Sequence, residues 1–100
     1  MSSRQISSEI ASVVQEFFDD LKQFTLYDVT QEVRRRVGRN VTVNHRDVHD
    51  EIEGVVLAKM QDNPAWARDL IHPPGASRGV QAYVYHHVRR DPDDYAKGDA

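Results

Sequence analysis

The chain has 100 residues, 39% hydrophobic and 29% charged, which fits one small domain with a modest core and little room for a deep enzymatic cavity. It has no cysteine, which excludes a disulfide framework and thiolate metal sites. No apolar run approaches the roughly 18 residues of a membrane helix, and MSSRQISSEIAS lacks the apolar centre of a signal peptide, so a cytoplasmic protein without a membrane partner is expected. The formal net charge of −3 resides in residues 91–100, which carry four acids and one lysine. Residues 1–90 are neutral but polarised: 33–46 carry five arginines and 78–90 carry three, with no acid in either stretch.

Residues 5–22 read as a helix. Ile6, Ile10, Val13, Val14, Phe17, Phe18 and Leu21 recur at helical spacing, with Glu9, Glu16, Asp19 and Lys22 on the opposite side. Residues 26–37 read as a second helix. Thr25 and Asp28 make a capping-box-like start, Leu26, Val29, Val33 and Val37 form the apolar stripe, and Gly38 stands at the C-cap. Arginines in its last turn suit the negative end of the helix dipole. Val41 and Val43 permit a short extended piece over 39–43.

A third helix is expected over 45–61, with Asn44 as N-cap, Asp47 at the third helical position, and Val48, Ile52, Val55, Val56 and Met60 buried. Gly54 sits mid-helix at a cost of about 1 kcal/mol relative to alanine. Asp62, Asn63 and Pro64 end this helix. Residues 66–72 and 80–88 read as two strands around the turn-rich PPGASRG. In the second, Val80, Ala82 and Val84 alternate with Gln81, Tyr83 and Tyr85, predicting one buried and one partly exposed face. The expected division is a flexible N-terminus at 1–5, one domain over 6–90 and a disordered acidic tail over 91–100.

FTLYDVTQEVRRRVG resembles the second helix of many winged-helix domains, and NHRDVHDEIEGVV occupies the place of their recognition helix. The order helix, helix, short extended segment, helix, hairpin resembles that fold over residues 6–88. The fold class expected from this resemblance is α+β: a three-helix winged helix-turn-helix with a C-terminal two-stranded wing. It implies that helix 3 enters a DNA major groove and that the wing reaches an adjacent groove or backbone.

The residues that would serve duplex DNA fall in three groups. Asn44, His45, Arg46 and His49 lie at the expected start of helix 3, where the dipole welcomes anions. Arg34, Arg35, Arg36 and Arg39 lie at the end of helix 2. Arg78 sits near the wing tip, and Arg89 and Arg90 leave its second strand. Asp47, Asp50 and Glu53 on the outward face of helix 3 oppose phosphate. The alternative is a protein-interaction module that does not bind DNA, motivated by that acidic face and by Leu57, expected to be exposed. Arginines joined into one positive face favour DNA; arginines neutralised by carboxylates of the same chain favour a protein partner. Helix 1, long and apolar, offers a homodimer face.

No catalytic constellation stands out. Ser77 has no evident base, and PPGASRG lacks the Gly-Lys ending of a phosphate loop. His45 and His49 are four apart but match no zinc spacing. Neither a metal, a cofactor nor a ligand pocket is expected.

Overall fold

The computed structural model describes residues 2–96. Helix α1 spans Ser3–Asp19. The Gln5 N–H donates to Ser2 Oγ (3.2 Å) while the Ser2 N–H donates to Gln5 Oε1 (2.9 Å). This capping box starts the helix within the stretch 1–5 that the sequence reading sets apart from the domain. Leu21 adopts φ 55°, outside the helical range, and is 46% exposed. The apolar face therefore ends at Phe18, and Leu21 and Lys22 lie beyond the helix.

Phe24–Thr25 form strand β1, and Leu26–Val37 form helix α2 with the bounds its periodicity predicts. The Thr25 N–H donates to Asp28 Oδ2 (2.9 Å) and the Asp28 N–H to Thr25 Oγ1 (3.3 Å). The Gly38 N–H donates to the Arg34 carbonyl (2.8 Å) at φ 108°, a conformation glycine adopts without a Cβ penalty.

Between α2 and the next helix stands a hairpin. Strand β2 (Thr42–Val43) pairs antiparallel with β3 (Arg46–Asp47), Val43 opposite Arg46. Asn44 (φ 50°) and His45 (φ 67°) form its two-residue turn. Helix α3 begins only at Val48 and runs to Gln61, capped by Asp47, which accepts from the His49 N–H (2.8 Å). Asn44, His45 and Arg46 are thus not at a helix start, and Asn44 is not the cap. A hairpin ladder consumes the backbone that the expected helix needed.

Strands β4 (Trp66–Ile71) and β5 (Ala82–His87) pair along their whole length, and β5 also pairs with β1, giving the antiparallel order β1-β5-β4. The expected alternation in β5 fails: Val84, Tyr85 and His86 are buried in succession. As the central strand, β5 buries residues on both of its faces. Phe24 stacks on Tyr85 (5.4 Å between ring centroids, 14° apart) and meets Phe18 and Trp66. With Ile6, Ile10, Val13, Val29, Val33, Ile52 and Val56 these rings make one continuous core. Leu57 packs partly against it and is not the exposed residue expected.

In the segment expected to be a disordered tail, helix α4 spans Asp93–Ala96, and Gln23 Nε2 donates to the Asp91 carbonyl. Residues 97–100 lie outside the described residues. The whole is an α+β arrangement of helices against small antiparallel sheets. Among the described residues no helix is long and apolar enough to cross a membrane.

Candidate functional site

The arginines of α2 turn toward carboxylates of their own chain. Arg35 is bidentate on Glu32, with Nε to Oε2 at 3.0 Å and an Nη to Oε1 at 2.5 Å. Arg36 donates through Nε to Glu32 Oε1 (2.9 Å) and reaches Glu16 of α1 (2.9 Å), with Glu9 at 3.8 Å. The spacing 32, 35, 36 puts these groups within one turn of each other on the helix. The two guanidiniums, Arg35 first and Arg36 next, hold the Glu32 carboxyl down to about 2. Glu16 and Glu32 in turn hold Arg36 still more firmly protonated. Arg34 reaches Asp47 at 3.4 Å, and its Nε is buried without a partner among the described residues.

The remaining sequence candidates are spread over the β2–β3 hairpin, the start of α3 and the segments around β5, and His49 shares a depression with Arg34. Arg46, next to Asp47 in β3, approaches Glu51 to 3.8 Å. Asn44 donates its N–H to Ser3 Oγ (3.1 Å), which sets the hairpin turn beside the start of α1. His45 is exposed at that turn. Arg39 and Arg78 are exposed and reach no partner among the described residues. Arg89 and Arg90 are exposed after β5; the Arg90 N–H donates to the His87 carbonyl (2.8 Å). His49 stands in the first turn of α3, 3.8 Å from Asp50.

Of the two histidines of β5, His86 bridges to β4. Buried His86 places Nε2 2.6 Å from Asp69 Oδ2 on β4 and Nδ1 3.0 Å from the His87 carbonyl, so it ties two strands together. Among the described residues no cluster of three or more His, Asp or Glu could hold a metal.

A feature the sequence did not predict is a cleft of about 1000 Å³ between the start of α2, the loop after β4 and the C-terminal segment. Phe17, Leu26, Tyr27, Pro73, Pro74 and Tyr83 are among the residues that line it. Tyr27 is 65% exposed and Tyr83 40% exposed. The Tyr83 ring carries the Arg68 guanidinium above it at 4.1 Å, and the Tyr27 hydroxyl accepts from Gln31 Nε2 (2.8 Å). The charged side chains of the lining are Lys22, Asp28 and, when protonated, His49. A second depression of about 450 Å³ shares Tyr27 and His49 with it and is lined further by Arg34, Asp47 and Asp50. The signals lay in the sequence: Tyr27 off the apolar stripe of α2, a Pro-Pro pair, and Tyr95 inside an acidic tail.

No protein-family model, curated protein or solved structure matches this chain.

Proposed function

We propose that the chain is a winged-helix module that binds a protein partner through the cleft between α2 and the β4–β5 loop. The fold assignment is supported by the element order and by the sheet order β1-β5-β4, which brings a short strand before α2 onto a C-terminal hairpin. The observation that carries the functional reading is the cleft wall. Tyr27, Tyr83 and a proline pair leave aromatic and apolar surface open in a concave site, the composition of protein-binding surfaces and not of phosphate-binding ones.

The charge placement supports the same reading. Each arginine of the run 34–36 already has a carboxylate of this chain beside it. The start of α3 presents Asp47, Asp50 and Glu51, which repel a DNA backbone. Exposed ion pairs of this kind contribute little stability individually, so their main effect is to cancel the field that would draw DNA.

A photo-cross-linking amino acid in place of Tyr27, introduced in the chain's native cells, tests the reading. A discrete protein adduct that disappears with Tyr83→Ala is expected. Adducts that persist with Tyr83→Ala, or that arise equally from position 35, would remove the cleft as the site.

Duplex DNA remains a second reading, favoured by one observation: the β2–β3 hairpin exposes Asn44, His45 and Arg46, and Arg39 is exposed before it, with one distant carboxylate contact among the described residues, Glu51 to Arg46. Contact would then run through the hairpin tip and not through the face of α3.

A further inference from the structure

One corner of the cleft is already occupied by the chain itself. The Tyr95 hydroxyl donates to Asp28 Oδ2 (2.7 Å). Its oxygen also lies 3.5 Å from Thr25 Oγ1; with the phenol proton committed to Asp28, the threonine hydroxyl is the donor there. Thr25 and Asp28 are the capping pair of α2. The seat is therefore built by the helix start, one carboxylate acceptor beside one hydroxyl donor, and it is matched to a phenol. Burial, and then the Asp28 carboxylate, push the Tyr95 hydroxyl up to about 12.

The tether is light. Helix α4 has four residues, and the exposed Asp93 and Asp94 contribute no apolar contact. Tyr95 lines the cleft and leaves its volume open, so a longer segment has room beside Tyr27 and Tyr83. Lys22 and Asp28 give the lining one cation and one anion besides His49, so it carries no strong net charge of either sign.

We infer that the cleft takes an extended segment of a partner protein that delivers a tyrosyl side chain to the Thr25–Asp28 seat in place of Tyr95. This rests on the reading of the cleft as the partner surface. The chain's own segment then acts as a tethered competitor whose effective concentration is of millimolar order for so short a link. A partner segment must outcompete it, so removing Tyr95 strengthens binding.

The test uses the full ¹⁵N-labelled chain, its Tyr95→Ala form, and two capped peptides, Ala-Pro-Tyr-Ala-Gly and the same peptide with alanine for tyrosine. The tyrosine peptide is expected to shift the Thr25 and Asp28 amides in both chains, with affinity about tenfold higher for Tyr95→Ala. The alanine peptide is expected to leave them unmoved. Tyr95→Phe, which keeps the ring, checks that any loss is not unfolding; it should bind between the other two. Equal response to both peptides, or equal affinity of wild type and Tyr95→Ala, overturns the proposal. So does dimerisation of Tyr95→Ala on size exclusion, which would make a second copy the occupant. Shifts confined to Tyr27 and Tyr83 would sink the tyrosyl seat and leave the cleft standing. No shift anywhere along the cleft would remove both.

Discussion

Glu32 and Tyr95 show opposite ways in which surroundings set a side chain's chemistry: two arginines lower the first, and burial followed by the Asp28 carboxylate raises the second. Arg35 and Arg36 favour the Glu32 carboxylate, lowering it from 4.5 to about 2. A group depressed on folding contributes stability that is present above its unfolded value and lost as pH falls through the folded one. The melting temperature should therefore drop as pH falls from 4.5 to about 2, and Glu32→Gln should flatten that part of the profile. Because these groups are exposed, high salt should shrink the effect in thermal melts recorded by circular dichroism. Tyr95 is raised from 10.0 to about 12, so its docking is fully present below pH 10 and lost as pH rises through about 12. Carbon NMR of the labelled tyrosine Cζ should show this titration, and Asp28→Asn should bring it back toward 10.0. A Tyr95 that titrates identically in both chains would contradict the contact.

The elements divide by how far their formation depends on local pattern. The β2–β3 turn places His45 at φ 67°, where glycine is favoured and a side chain is disfavoured by about 1 kcal/mol. His45→Gly should therefore stabilise the chain by about 0.5–1 kcal/mol in urea unfolding; destabilisation would mean that the imidazole makes a contact that matters. Phe24→Ala, which opens the ring cluster of β1, Tyr85 and Trp66, should cost about 3–5 kcal/mol in the same assay.

Helices α1 and α2 were legible because their apolar residues keep a 3.6-residue period and because Thr25 and Asp28 announce a start. The start of α3 was not. Asn44 is as good a turn residue as it is a cap, and only the pairing of Val43 with Arg46 decides between them. Strand β1 has two residues and no period to detect. The tail carries a composition typical of disorder, which gave no sign of the Tyr95 contact with Asp28 or the Gln23 contact with Asp91. Tyr27, the Pro-Pro pair and Tyr95 stood in the sequence as separate signals, but nothing there joined them into a cleft. It joins Phe17, Tyr27, Pro73 and Tyr83, which no local periodicity relates.

At the scale of the molecule, an arginine run that looks like a phosphate site becomes a clasp between helices. Arg36 joins α2 to Glu16 and Glu9 of α1, and Arg34 joins α2 to Asp47, the cap of α3. The same residues cannot hold these partners and also greet a duplex without giving up the pairs. What stays open is an aromatic cleft at one end of α2 and a basic hairpin tip between α2 and α3, and these two surfaces correspond to the two readings. The measurement that separates them is fluorescence anisotropy of labelled random-sequence duplex DNA, titrated with the full chain at low salt and repeated as salt rises. With the arginines committed to their own chain, no saturable binding is predicted. Binding that weakens with a log–log slope of about −4 to −5 would mean that roughly five phosphates are neutralised, and would contradict the protein-partner reading in favour of duplex DNA.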